Sequence, residues 1–238
     1  NSSILKELFS QTLFAISTQE SRPLLTGLNI RINGNVMECV TTDSYRLAKK
    51  TIVLDADYET HDIVVPGKNI QEFDKILTDE EEVKINLFNN KLLFEYNGYL
   101  FQTSLLSGQY PNTSNLIPTD FEYILTTNLD NFYSAIDRAA LLTQNKDKNL
   151  INMKTVGNEL VITSFASEIG KSEESVAISK NNDNDITISY SAKYMLDALK
   201  TLKDDELIIL MNGDSKPIIL KNAKDESLIQ LILPIKTY

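Results

Sequence analysis

The chain has 238 residues, 42% of them hydrophobic, and a formal net charge of −10 at pH 7. This composition is typical of a globular protein with one large core or two modest ones. The acidic balance argues against tight electrostatic attachment to nucleic acid, and no apolar run reaches the roughly 20 residues of a membrane-spanning helix. The single cysteine, Cys39, excludes a disulfide framework, which fits a reducing cytoplasm, and we expect a cytoplasmic protein.

The first half of the chain predicts two helices and several antiparallel strands. Apolar residues recur at helical spacing over residues 3–17, and Asn33-Gly34-Asn35 predicts a hairpin turn. Pro66 is placed to open the second helix, because proline is favoured in a first turn. The predicted strands are 28–32, 36–41, 46–54, 62–66, 83–88, 91–96 and 99–105.

The second half repeats this order. Helices are predicted over 129–142 and 191–202, and strands over 122–127, 150–156, 159–164, 173–178, 186–190, 207–211, 217–222 and 227–233. We therefore predict an α+β protein of two tandem copies of one domain, each with two helices packed on one face of antiparallel sheets. The boundary is predicted near Pro118, which gives domains at 1–118 and 119–238, the first of them without the strand that opens the second.

Each predicted helix carries one or two outward cations. They are Lys6, Lys68, Lys75, Arg138, Lys193 and Lys200. Acidic neighbours such as Glu72, Asp137 and Asp197 favour ordinary solvated faces. If the four helices line one surface, however, the same cations form a weakly basic stripe that suits a duplex held without sequence readout.

The sequence carries few residues suited to catalysis. His61 is the only histidine, predicted in a loop, so no His-based triad or multi-His metal site can form, and no glycine-rich phosphate loop is present. Glu80-Glu81-Glu82 and Asp204-Asp205-Glu206 occupy matching loops of the two copies, which favours a structural role. We predict a non-catalytic binding scaffold with no cofactor and no metal, and a carboxylate-dependent hydrolase remains the enzymatic alternative.

Five short segments carry a family resemblance. They are Ser21-Arg22-Pro23-Leu24-Leu25-Thr26-Gly27, Thr41-Thr42-Asp43-Ser44-Tyr45-Arg46-Leu47-Ala48, Val64-Val65-Pro66-Gly67-Lys68, Ser107-Gly108-Gln109-Tyr110-Pro111 and Leu233-Pro234-Ile235-Lys236. In combination they resemble the second and third domains of the bacterial DNA polymerase III beta subunit family, the replicative sliding clamps. The resemblance covers the whole chain.

The resemblance implies a head-to-tail homodimeric ring of six similar domains, with helices inside around duplex DNA and sheets outside. The chain departs from the family in lacking the first domain, through which the family closes its ring. We therefore expect the full-length protein to be a homodimeric processivity factor and this chain alone to be monomeric. The expected partners are duplex DNA, DNA polymerase, the clamp loader and repair proteins, the proteins being bound through short peptide motifs with a characteristic Gln and aliphatic or aromatic anchors.

The resemblance also implies the position of the sites. The family's peptide pocket lies between these two domains, and the matching positions are Leu25, Thr42, Ser44, Arg46, Leu47, Pro111, Leu116, Tyr194, Pro217, Leu231, Leu233, Pro234, Ile235 and Lys236. An apolar slot with a few hydrogen-bonding groups suits a short peptide. Asn115 and Lys236 stand where relatives often carry other residues. The DNA-facing set is Lys6, Gln19, Arg22, Lys68, Lys75, Arg138, Lys193 and Lys200.

Two other interpretations remain open from the sequence. Leu47, Leu231 and Leu233 are equally compatible with core positions, and the prolines with element ends. A tandem-domain protein-interaction adaptor that does not bind DNA is the alternative function.

Overall fold

The computed structural model describes residues 1–78, 80–143, 149–167 and 170–236. The chain divides into two units, Asn1–Asn112 and Thr113–Tyr238. The first unit contains α1 (Ser2–Thr12), β1 (Gly27–Thr42), β2 (Arg46–Pro66), α2 (Gly67–Asp74), β3 (Lys84–Leu87), β4 (Lys91–Tyr96) and β5 (Tyr99–Ser104). The second contains β6 (Tyr123–Asn128), α3 (Leu129–Ala140), β7 (Leu150–Val156), β8 (Glu159–Ala166), β9 (Gly170–Ala177), β10 (Ser179–Lys180), β11 (Thr187–Ser191), α4 (Ala192–Leu199), β12 (Glu206–Met211), β13 (Ile218–Asn222) and β14 (Leu228–Ile232).

Helix α1 ends earlier than its apolar periodicity predicts. A short 3₁₀ turn, Leu13–Ala15, follows it, and Ile16 is already extended. The main chain of Thr12 instead accepts a hydrogen bond from Thr41 Oγ1 at 2.6 Å, and Ser17 N donates to Leu25 O at 2.8 Å. Bonds to distant residues therefore replace the last predicted turn of this helix.

Strand β1 bends at Gly34 and pairs with β2 on both sides of the bend. Both ends of β1 lie near the end of α1. Gly27 pairs with Pro66, whose neighbour Gly67 lies against Ile16, and Thr41 donates a hydrogen bond to Thr12 O. In a straight strand Gly27 and Thr41 would be roughly 46 Å apart, which is farther than the four residues from Thr12 to Ile16 can reach, so β1 must bend. Gly34 has φ +60°, and the register with β2 shifts on both sides of it. The hairpin turn predicted at Asn33-Gly34-Asn35 is therefore wrong: the strand bends there at an irregularity in its pairing, and the chain reverses only after Thr42, between β1 and β2.

The core of the first unit lies under its two helices. Helices α1 and α2 contact each other and both contact β1 and β2. Phe73 of α2 is fully buried and stacks on Phe94 of β4, with ring centroids 4.3 Å apart, and Phe101 lies 5.4 Å away. Strands β3, β4 and β5 form an antiparallel sheet in that order. His61, predicted in a loop, lies within β2 and pairs with Ile32.

The second unit has the same plan. Strands β11, β7, β8 and β9 form one antiparallel sheet, and β14, β13, β12, β6 and β10 lie side by side in that order in another. Helix α3 contacts α4 and strands of both sets. Phe132 and Met195 are fully buried, and so is Tyr190, whose hydroxyl contacts Met153 Sδ at 3.7 Å. The prediction of two α+β copies with two helices each is confirmed.

None of the helices in the described residues is long and apolar enough to cross a bilayer.

Candidate functional sites

Asp43 organises the turn that joins β1 to β2. Its Oδ1 accepts hydrogen bonds from Tyr45 N at 2.9 Å and Arg46 N at 3.0 Å, and its Oδ2 lies 3.0 Å from Arg46 Nε. The side chains of Asp43 and Arg46 are only 13% and 10% exposed. An aspartate that accepts from main-chain N–H groups two and three residues later is a recurrent way of fixing a turn.

Thr42 and Ser44 complete this turn. Thr42 Oγ1 donates to Arg46 O at 2.6 Å and accepts from Ser44 N at 3.1 Å. Ser44 is exposed and has φ +80°, in the left-handed region that non-glycine residues seldom occupy. Its hydroxyl accepts from Arg22 Nη1 at 2.9 Å. The turn therefore presents Ser44 to solvent from a fixed backbone.

Two of the predicted leucines are buried, and an aromatic ring lies beside the turn. Leu25 and Leu47 are buried, and Arg46 Cζ lies 5.3 Å from the centre of the Phe14 ring. A guanidinium over an aromatic face gains electrostatic attraction as well as packing. Of the predicted pocket residues at this turn, Ser44 alone is exposed, and Leu25, Thr42, Arg46 and Leu47 are buried.

Tyr110 connects the end of the first unit to the same turn. It is 2% exposed, and its hydroxyl oxygen accepts a hydrogen bond from Thr42 N at 3.1 Å. Burial raises the pKa of Tyr110, so the phenol remains neutral at ordinary pH. Pro111, a predicted pocket residue, follows it directly and is exposed. Neither Asp43 nor Tyr110 is among the predicted site residues, although both lie within the segments that carry the resemblance.

In the second unit, the predicted residues gather at one end of β14. Leu231 is buried and pairs with Ile219, whereas Leu233, just past the strand, is 37% exposed. Pro217 immediately precedes Ile218, which pairs with Ile232, so it lies at the same end of the sheet as Leu233. These strand ends place one buried and two accessible members of the predicted set together.

The segment after β14 is held against the strand that leads into α4. Ile235 N donates to Ser189 O at 2.7 Å, and Pro234 and Ile235 are half-buried. Ser191 caps α4 by accepting from Tyr194 N at 3.5 Å, which places Tyr194 in the first turn of that helix. Lys236 is exposed, and so is Leu116, which ends a short 3₁₀ turn, Ser114–Leu116.

Helices α2 and α4 carry the same pattern of cations. A shift of 125 residues places Lys68 on Lys193 and Lys75 on Lys200, and each pair starts at the first turn and ends at the C-cap of an eight-residue helix. Lys75 forms an exposed ion pair with Glu72 at 2.6 Å. Lys68, Lys193 and Lys200 are exposed and have no ion pair with any residue that the structure describes.

The other predicted cations are already engaged within their own units. Lys6 is half-buried, and its Nζ donates to Leu77 O at 3.0 Å. Two nitrogens of Arg138 donate to Glu174 Oε2, at 2.9 and 2.6 Å. Gln19 and Arg22 are exposed on the loop before the 3₁₀ turn Pro23–Thr26. Within the DNA-facing set, Lys6 and Arg138 are thus engaged with other parts of their own units, and the other six residues are exposed.

The described residues include neither a group that could hold a metal ion nor an accessible thiol. In the part of the chain that the structure describes, no group of three or more His, Cys, Asp and Glu residues could hold a metal ion. Cys39 is fully buried in β1, and burial, with a smaller contribution from Glu38, raises the pKa of its thiol. A protonated and inaccessible thiol is unreactive.

Two family models match the chain one after the other. The model of the DNA polymerase III beta subunit, central domain, matches residues 1–112, and that of the DNA polymerase III beta subunit, C-terminal domain, matches residues 114–236. Together they leave almost no residue unmatched.

Individual relatives agree with these matches. The chain is 42% identical over 237 residues to the beta sliding clamp of Staphylococcus epidermidis, covering 99% of this chain and 63% of that protein. Its fold matches the crystal structure of the DNA polymerase sliding clamp of Bacillus subtilis with a TM-score of 0.96 and 38% identity, over 100% of this chain and 63% of that one. It matches the DNA polymerase III beta chain of Streptococcus pneumoniae with a TM-score of 0.94 and 34% identity, over 99% and 63%. The chain thus spans about 63% of the length of these relatives.

Proposed function

Because this chain belongs to the family of the DNA polymerase III beta subunit, the bacterial sliding clamps, we propose that it carries the central and C-terminal domains of a DNA replication processivity factor. Its two units are DNA-clamp domains. The observation that carries the proposal is the uninterrupted succession of both domains in a fold that matches a clamp with a TM-score of 0.96. Such a factor tethers DNA polymerase to duplex DNA and is itself non-catalytic, and its proposed place of action is the bacterial cytoplasm.

The proposal assigns the predicted pocket residues of both units to binding one short partner peptide. On the first unit the support is a turn with a fixed backbone that exposes the Ser44 hydroxyl. On the second unit it is the accessible apolar group of Pro217, Leu233 and Pro234 at one end of β14. Apolar anchors with a few oriented hydrogen-bonding groups are typical of peptide sites. The proposal assigns the buried members, Leu25, Leu47 and Leu231, a packing role.

The proposal assigns the accessible lysines of α2 and α4 to loose contact with duplex DNA. Lys68, Lys193 and Lys200 are exposed on a protein of net charge −10, so attraction to phosphate is local and weak. Weak contact suits a clamp, which must move along the duplex while its topology retains it. Ring closure as a homodimer is proposed for the full-length protein.

Peptide binding is tested by fluorescence polarisation with a labelled pentapeptide that has the Gln and aliphatic or aromatic anchors of the family motif. We expect saturable binding at roughly micromolar affinity, weakened at least fivefold in Leu233→Ala and Pro234→Ala. Leu100→Ala is the matched control, because Leu100 is also an exposed leucine, at 72%, but lies on β5 outside the predicted set. Absence of binding by a folded sample would refute this function.

A second candidate is a tandem-domain interaction adaptor that does not bind DNA. The internal partners of Lys6 and Arg138 favour it, because these cations are not free to meet phosphate. The two candidates are separated by anisotropy titration of a labelled linear duplex at low salt. We expect weak binding that Lys68→Ala, Lys193→Ala and Lys200→Ala together abolish; if the parent chain shows no binding, the adaptor is the better interpretation.

A further inference from the structure

The hydroxyl of Tyr110 is placed where it can control the proposed peptide-binding turn. Tyr110 lies 68 residues after Thr42 in sequence, yet its hydroxyl oxygen accepts the Thr42 N–H at 3.1 Å. Both residues are buried, Tyr110 to 2% and Thr42 to 7% exposure. A buried main-chain N–H needs an acceptor, and here a side chain from a distant segment provides it.

Thr42 is the residue on which the turn depends. It is the last residue of β1, and its side chain bonds both Arg46 O and Ser44 N. The bond to Tyr110 therefore fixes the residue from which the backbone of Ser44 and Arg46 is positioned. Loss of that bond would leave the Thr42 N–H unsatisfied and free this end of the turn to shift.

The segment that carries Tyr110 is itself anchored to the first unit. Leu106 N donates to Val64 O at 2.9 Å, and Gly108, with φ +128°, packs so closely on Leu24 that an added Cβ would lie 3.1 Å from Leu24 Cδ1. Tyr110 thus joins an anchored segment to the turn. Pro111 follows directly, so the same bond also fixes the separation between Pro111 and Thr42.

We propose that Tyr110 is a positioning residue for peptide binding, whose hydroxyl holds the turn at Thr42–Arg46 and the adjacent Pro111 in the binding arrangement before the peptide arrives. The inference rests on the proposed peptide-binding function. Tyr110 itself makes no contact with the peptide. Its effect is preorganisation, which strengthens binding by removing the cost of ordering the turn.

The test compares Tyr110→Phe with Tyr96→Phe, which removes a closely matched hydroxyl. Tyr96 is 3% exposed, lies in the same unit, and its oxygen accepts from Thr78 N at 2.7 Å. Each change removes one oxygen that accepts a main-chain N–H, and the Tyr96 hydroxyl also bonds Thr78 Oγ1 at 2.6 Å, so we expect Tyr96→Phe to lose at least as much thermal stability as Tyr110→Phe. The pentapeptide affinity is expected to fall roughly 3–10-fold in Tyr110→Phe and to keep its parental value in Tyr96→Phe. A loss of this size corresponds to part of the free energy of one buried hydrogen bond, because the peptide must then order the turn as it binds.

Amide hydrogen exchange gives a second readout on the chain without peptide. We expect the N–H groups of Thr42, Ser44 and Arg46 to exchange faster in Tyr110→Phe and at the parental rate in Tyr96→Phe. If the parent binds the peptide and the two variants bind it equally well, the positioning role is refuted while the binding function stands. If the folded parent does not bind the peptide, the binding function fails and the positioning role fails with it.

Discussion

Removal of the Asp43 carboxylate is expected to destabilise the first unit strongly. In Asp43→Ala, the Tyr45 and Arg46 N–H groups lose their acceptor and the Arg46 guanidinium loses an ion pair at 3.0 Å. Breaking a largely buried ion pair costs about 3–5 kcal/mol. Arg46 keeps its contact with Phe14, so we expect the lower end, about 3 kcal/mol, out of the roughly 5–15 kcal/mol typical of a domain.

Glu72→Ala is the matched control for this change. The Glu72–Lys75 pair has the same spacing of three residues and lies in the same unit, but its side chains are 63% and 66% exposed. Exposed pairs contribute about 0–1 kcal/mol, and salt screens them. The two variants therefore differ in the burial of the pair that is broken and in the two main-chain hydrogen bonds that Asp43 accepts.

Urea unfolding followed by circular dichroism measures both variants. With a slope of roughly 1–3 kcal/mol per molar urea, the transition midpoint of the first unit should fall by about 1–3 M in Asp43→Ala and hardly change in Glu72→Ala. The difference should persist in 1 M salt. A loss in Asp43→Ala no larger than that in Glu72→Ala would refute the reasoning from burial and hydrogen bonding.

Three further predictions concern the first unit. Phe73→Ala should lower its free energy of unfolding by about 3–5 kcal/mol, because Phe73 is fully buried against Phe94 and Phe101, whereas Leu100→Ala should change it by less than about 1 kcal/mol in the same urea titration. Gly67→Ala should lower the melting temperature despite alanine's better helix propensity, because the new Cβ would lie 2.7 Å from Ile16 Cδ1 and 2.8 Å from Thr26 O; an unchanged or raised melting temperature by calorimetry would contradict this close approach. Burial raises the pKa of Cys39 above its ordinary value of 9.0, so the unfolded chain loses this proton first and stability should fall as pH rises past about 9; Cys39→Ala should show a shallower fall in thermal melts between pH 8 and 10, and equal slopes would show that the thiol is not the cause.

The helices and the repeat could be predicted because they depend on local periodicity. The eight residues of α2 and those of α4 carry buried apolar positions at helical spacing, so a single segment suffices to identify each. The end of α1 could not be found in this way. The carbonyl oxygen of Thr12 accepts a hydrogen bond from Thr41 Oγ1, which lies 29 residues away on strand β1.

The candidate sites show the same division. The segment from Thr42 to Leu47 is recognisable from its sequence, but the hydrogen bond that Thr42 N makes to Tyr110 forms only in the folded chain. A cation on the outward face of a helix need not be free to bind a ligand. Lys6 and Arg138 lie outside the apolar stripes of their helices, yet Lys6 donates a hydrogen bond to Leu77 O and Arg138 donates one to Glu174. Sequence patterns contain no information on such long-range partners.

The matched lysines of α2 and α4 have a consequence for the proposed contact with duplex DNA. The same two-cation element recurs 125 residues later, with its members seven positions apart in both copies, a rise of roughly 10 Å along a helix axis. All phosphates along a duplex are chemically alike, so a lysine that releases one phosphate meets the next at nearly equal energy. The repeated element therefore has no preferred register on the duplex. On the proposed clamp, successive positions along the duplex are therefore nearly equal in energy, and displacement has no preferred direction.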